Sequence, residues 1–143
     1  MPLIQLIYLS DAREGMVYRD FTTIMEQAAV SNRALGITGM LCHGSGQFLQ
    51  VLEGERTAVS ALYHHIVTDP RHTTCTLMLV EEVAARDFSE WSMRVVDWGD
   101  GRTPPPRPPS RTGLPEFAPR SMSGAGAARF LRDLARAERL LLE

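Results

Sequence analysis

A chain of 143 residues with 44% hydrophobic and 22% charged residues has the composition of one globular domain with a sizeable apolar core. Its formal charge is −2, and no apolar run approaches the roughly 20 residues needed to span a bilayer, which argues against a membrane-spanning class. The start, MPLIQLIYLS, lacks the basic region and the small-residue cleavage site of a secretory signal, so a cytoplasmic protein with no membrane partner is expected.

Charge is unevenly placed. Every basic side chain apart from histidine is Arg: residues 1–101 hold 7 Arg against 13 acids, and residues 102–143 hold 8 Arg against 4 acids. A basic tail can seek nucleic acid, but no aromatic-rich basic stripe or nucleic-acid motif accompanies it, so a solvated or partner-docking tail is the better reading. Cys42 and Cys75 fall in strand-like runs without CxxC spacing and read as free thiols in a reducing compartment.

Leu3–Leu9 is a short Ile- and Leu-rich run with the character of a buried strand, and Ser10-Asp11 then offer turn chemistry. From about Val17 to Arg33, apolar residues recur every three or four positions, the mark of an amphipathic helix. Gly36 ends it. Ile37–His43 and Gln47–Glu53 read as two strands joined at Gly44-Ser45-Gly46. Thr57 to about Thr68 is a second amphipathic helix, stopped by Asp69-Pro70. Thr73–Val83 is β-rich, and Trp91–Trp98 reads as a fifth strand.

The order β-α-β-β-α-β plus one strand predicts a ferredoxin-like α+β sandwich, with both helices on one face of the sheet and a slot between them. Seven of the nine prolines lie between residues 104 and 119, which predicts a stiff connector. Gly126–Glu143 then reads as an amphipathic helix with Phe130, Leu131, Leu134 and Leu141 on one side. Such a helix is marginal alone and needs the sheet, a sister subunit or another protein to cover it. The expected division is a domain over 1–100, a linker over 101–121 and a helix over 122–143.

No metal site is expected: His64, His65 and His72 lack the fourth-ligand spacing of zinc. No Walker, dinucleotide-binding or Ser-His-Asp pattern appears. The chemistry-bearing residues are polar groups in apolar surroundings. Gln50 sits between Leu49 and Val51, and burying an amide is costly unless both of its ends find partners. Tyr8 lies on the first strand, which neighbours the third in a ferredoxin-like sheet, so phenol and amide can be adjacent across the ladder. Asn32, at the end of the first helix, can reach the same slot, or it can simply terminate the helix. Apolar walls at Ile24 and Ile66 with amides at the edge suit a flat heteroaromatic ligand.

The segments LIYLS, NRALGITGMLCHGSGQFLQVLEG, LYHHIVTDPRH and FSEWSM, in this order and spacing over about residues 3–97, resemble the BLUF family, sensors of blue light using FAD. The resemblance implies a non-enzymatic photoreceptor that holds FAD non-covalently between the two helices. It implies that Tyr8 gives an electron and then a proton to the excited flavin. Gln50 then bridges tyrosine and flavin and rearranges by rotation or tautomerisation. Asn32 holds the pyrimidine edge, with Ser31 beside it; Phe48 joins the site. Ile66 walls the slot with Ile24, His65 lies toward the phosphate end, Asp69 and Arg71 fit the family pattern beyond it, and Trp91 and Met93 carry the signal to the last strand. Ser31 replaces a bulkier polar residue, and His65 stands where Arg or Lys is usual, which weakens a phosphate contact. About 40 residues follow the domain, too few for a cyclase or phosphodiesterase, so the expected output is a downstream signalling protein, with self-assembly into a homo-oligomer. Two other readings stay open: a light-inactive interaction module of the same fold, and a small flavin oxidoreductase.

Overall fold

The computed structural model describes residues 2–13, 18–70, 72–97 and 117–141; the side chains of 18–22, 24, 25, 72 and 141 also lie outside the described set. Most of the proline-rich connector falls outside it as well.

The elements are β1 (Leu3–Ala12), α1 (Tyr18–Leu35), β2 (Thr38–Gly44), β3 (Gln47–Glu55), α2 (Arg56–Val67), β4 (His72–Val83), β5 (Arg94–Asp97) and α3 (Gly124–Leu141). The five strands form one sheet in the order β4-β1-β3-β2-β5. All neighbours are antiparallel except β2 and β5. This is the predicted ferredoxin-like α+β arrangement with an added strand.

The largest boundary differences from the sequence reading are at β1 and β5. β1 continues through Ser10 and Asp11 to Ala12, because the long neighbours β3 and β4 pair with it at Asp11↔Gln47 and Ala12↔His72. Ladder pairing on both sides outweighs the local turn preference of Ser-Asp. β5 starts at Arg94 rather than Trp91. Residues 88–93 form a loop because their backbone carbonyls are bonded elsewhere, Trp91 O by Gly39 N and Ser92 O by Asn32 Nδ2.

Side-chain alternation splits the sheet into two faces. Ile4, Leu6, Tyr8 and Leu52 pack with Ile37 and with Val59 of α2. On the opposite face Ile7, Leu9, Met40, Cys42, Leu49, Val51 and Val96 pack against Ala127, Ala128, Phe130, Leu131, Leu134 and Ala135 of α3. The amphipathic tail helix therefore covers the second face of its own sheet. Each buried Leu or Phe there contributes about 1.5–3 kcal/mol, which gives α3 the tertiary support that its length alone lacks.

Two glycines are required by geometry. Gly36 has φ +69°, the left-handed conformation that closes a helix. At Gly39 a Cβ would lie 2.1 Å from the Val51 carbonyl oxygen, so a side chain there would force β2 and β3 apart.

Candidate functional site

β1 and β3 pair in a register that places Tyr8 directly opposite Gln50. Both are buried, and the Tyr8 hydroxyl donates to Gln50 Oε1. The other end of the same amide, Nε2, donates to Met93 Sδ at 3.4 Å. Sulfur is a weak acceptor, so one end of Gln50 is firmly held and the other only loosely. The phenol meets the cost of burying the carbonyl end of the amide, whereas its N–H end has only the Met93 thioether.

A cavity of about 280 Å³ opens beside Gln50, between α1 and α2. Helical spacing builds its walls: Gln27, Ala28, Ser31 and Asn32 from α1, and Leu62, His65 and Ile66 from α2 with Asp69 just beyond it. Leu41 and Gln50 form the floor. Asn32 is 1% exposed, and its Nδ2 donates to Ser92 O at 3.0 Å.

The structure thus brings Ser31, Asn32, Gln50, His65, Ile66 and Asp69 to one cavity, with Tyr8 behind Gln50. Phe48 does not line it; its ring packs against Leu41 and stands 4.9 Å from the His43 ring. The side chain of Ile24 and the whole of Arg71 lie outside the described residues. Gln27, Ala28, Leu41 and Leu62 were not anticipated, although the i, i+4 spacing of Ala28 to Asn32 and of Leu62 to Ile66 carries the signal for two of them.

Trp91 and Met93 point to opposite sides. Met93 packs with the Tyr8 face of the sheet. Trp91 packs with the α3 face, where the Arg139 guanidinium lies 5.5 Å from its ring centroid. Two residues in a strand share a face, but this pair lies in a loop, so they can separate.

Burial raises the Tyr8 hydroxyl pKa well above 10.0, with the neighbouring Cys75, Tyr63 and Asp69 adding to the shift. The phenol is therefore neutral and available as a donor. Tyr63 stands close, with ring centroids 5.4 Å apart; its own pKa is raised by burial and then by Cys75.

A carboxylate that sequence reading missed organises the loop leading to the site. Glu53 is fully buried and accepts four hydrogen bonds: from Gln5 Nε2 (3.0 Å), Thr38 Oγ1 (2.8 Å), Asp87 N (2.9 Å) and Phe88 N (2.7 Å). Arg86 bonds Thr38 Oγ1, Glu53 O and Gly36 O around it. Charged acceptors satisfied this way are tolerated in an interior. No group of three or more His, Cys, Asp or Glu suited to a metal occurs among the described residues, and no helix there is long and apolar enough to cross a membrane.

Two helices laid over a ferredoxin-like sheet, with a phenol–amide pair beside the slot between them, form a domain with a small-ligand cavity. Residues 3–94 match the family described as BLUF, sensors of blue-light using FAD. The chain belongs to the BLUF family of flavin-binding, blue-light-sensing domains.

Among relatives, it is 40% identical over 92 residues to the photoactivated adenylate cyclase subunit beta of Euglena gracilis, a match covering 64% of this chain and 11% of that protein. It is 30% identical over 95 residues to the blue light- and temperature-regulated antirepressor BluF of Escherichia coli, covering 66% of this chain and 24% of that one. The chain therefore spans only a minor part of these relatives. Among solved structures, the dark-state BLUF protein BlrB superposes with a TM-score of 0.80 at 31% identity, covering 95% of this chain and 97% of that one.

The residues present fit a flavin. Asn32 Oδ1 has no hydrogen-bond partner among the described residues, although the side chain is buried, and Gln50 Nε2 is held only by a thioether. An acceptor and a donor at one edge of an apolar-walled slot match the mixed edge of a flavin pyrimidine ring. Asn32, Gln50 and Ile66 would hold the ring, and His65 and Asp69 lie at the α2 end of the cavity.

Proposed function

We propose that this chain is a blue-light photoreceptor that binds FAD non-covalently in the α1–α2 cavity and signals through Tyr8 and Gln50 to a separate protein. The observation that carries the reading is the buried Tyr8 hydroxyl on Gln50 Oε1, with the amide's other end on Met93 Sδ at 3.4 Å. When bound, the flavin supplies a blue-light-excitable electron acceptor.

Tyr8 is the electron donor. An oxidised phenol is a strong acid, and leaving a charge in this buried place is costly. The electron is therefore followed by the hydroxyl proton, which is already hydrogen-bonded to Gln50 Oε1. Gln50 presents an acceptor at one end and a donor at the other. Turning it over, or moving its proton, exchanges what the ligand edge meets with almost no change in volume. Met93 is the neighbour that feels the exchange, because its sulfur contacts the end that moves. The result is a bistable hydrogen-bond switch rather than turnover of a substrate.

Residues 1–100 act as the sensory unit, 101–121 as a linker and 122–143 as a helical element. A cytoplasmic, self-associating protein is the setting this reading implies. FAD rather than FMN is the proposed cofactor, which the mass of the extracted chromophore will test.

The deciding measurement is the visible spectrum of purified protein before and after blue light. A yellow protein with a reversible red shift of a few nanometres is expected. A protein that stays colourless after incubation with FAD would be a light-inactive module, and bleaching by NADH would mark an oxidoreductase. Gln50→Leu is expected to keep the flavin and lose the shift.

A further inference from the structure

The segment from Glu90 to Arg94 is held from two sides. Its inner side carries the contacts to the switch: Gly39 N to Trp91 O at 3.1 Å, Asn32 Nδ2 to Ser92 O at 3.0 Å, and Gln50 Nε2 to Met93 Sδ at 3.4 Å. Its outer side is held by two adjacent residues in the last turn of α3. Glu138, 1% exposed, accepts from Arg94 Nε at 3.2 Å and from Arg94 Nη2 at 3.1 Å. Arg139 donates from Nε to Glu90, bonds the Asp87 carbonyl through Nη2, and lies over the Trp91 ring.

The pairs therefore fall on Glu90 and Arg94, the residues that flank Trp91, Ser92 and Met93. Just upstream, Asp87 N and Phe88 N are bonded to the buried Glu53. With that end fixed to the sheet, freedom in the remainder of the loop depends on what α3 holds. Glu138 is a desolvated carboxylate in a geometry that uses two N–H groups of one guanidinium, the kind of pair with more orienting power than an exposed one. Arg139–Glu90 is more exposed and is reinforced by the carbonyl and the ring.

We propose that Glu138 and Arg139 are positioning residues for the switch: by holding both ends of Glu90–Arg94 they keep the Met93 sulfur against Gln50 and so set the lifetime of the light-formed state. This rests on the photoreceptor reading above. Gln50 can turn only as Met93 yields, and Met93 is as stiff as the segment that carries it. Stiffness of the segment therefore enters the barrier for Gln50 to turn back in the dark. Neither Glu138 nor Arg139 lines the flavin cavity, so their removal acts on the barrier and not on the ligand.

The test uses the full chain with Arg139→Gln and Glu138→Gln. Each variant is expected to bind FAD as the parent does and to form the red-shifted state, but to return to the dark spectrum about threefold faster or more, since one modest ion pair is of that order. Arg139→Lys should recover part of the lifetime. A second readout needs no flavin. In apoprotein carrying Trp98→Phe, Trp91 emission should move to the red with Arg139→Gln, as the ring loses its cation, and high salt should move the parent in the same direction.

Lifetimes unchanged or lengthened in both variants, with the flavin still bound, would overturn the proposal. So would Trp91 emission indifferent to Arg139. A parent that binds FAD but shows no light-induced shift would instead sink the photoreceptor reading, while the apoprotein fluorescence would still report whether α3 holds the segment.

Discussion

Tyr8 and Gln50 are direct partners across the β1–β3 ladder, and the Tyr8 hydroxyl is bonded to the amide oxygen of Gln50. Forty-two residues separate them in the chain, yet their relative position is set by backbone pairing, the most rigid link available in a sheet. The phenol and the amide therefore keep their alignment without help from loops.

Tyr8→Phe removes the hydroxyl and leaves the Gln50 carbonyl buried with one partner fewer, a cost of about 1–3 kcal/mol in stability. The aromatic ring is retained, so the cavity keeps its shape and flavin binding is expected to survive. The light-induced shift is expected to vanish. Difference spectroscopy checks this; a normal photocycle in the variant would remove Tyr8 from the donor role.

The burial of Tyr8 has a consequence at high pH. Its pKa in the folded protein is raised above 10.0, first by burial and then by the negative charges of Cys75, Tyr63 and Asp69. The folded state thus holds this proton where the unfolded chain releases it. The contribution is fully present below about pH 10 and is lost as pH climbs from there toward the raised folded value. Urea midpoints measured across this range should fall with pH, and the fall should be shallower in Tyr8→Phe.

Glu53→Gln keeps the side-chain shape but turns one acceptor oxygen into a donor among four hydrogen-bond donors. A loss of about 2–4 kcal/mol is expected, because buried N–H groups at Asp87 and Phe88 lose their charged acceptor. Chemical denaturation measures the cost. Amide exchange should show the loop from Asp87 to Met93 opening before the sheet does.

Leu134→Ala tests whether α3 belongs to the same cooperative unit. Leu134 is fully buried between α3 and the sheet, and the truncation should cost about 2–5 kcal/mol. If α3 were loosely attached, the denaturation midpoint of the sheet would stay where it is and only α3 would lose exchange protection.

Much of the site is legible in the chain because it depends on strand alternation and element order. Phenol and amide each lie in an apolar strand, and the order β-α-β-β-α-β makes those strands neighbours. Asn32 at a helix end and the i, i+4 stripe at Leu62 and Ile66 are local patterns as well. Phe48 shows the limit: it alternates with Gln50 along β3, but shares a face without sharing the cavity, because its ring is taken up by Leu41 and His43.

The sequence alone determined the β-α-β-β-α-β order and the family, and put Tyr8 and Gln50 on strands that can be neighbours, since these follow from period and motif; the register that pairs the two comes from the sheet. Tertiary structure alone decided that Met93 and not Trp91 meets Gln50, that Glu53 anchors the loop before them, and that α3 covers the sheet and holds Glu90 and Arg94. The loop contacts among these join residues 34 to 49 positions apart, and the loop side chains follow no period. Their orientation is set by which buried donors, acceptors and rings wait on either face of the sheet.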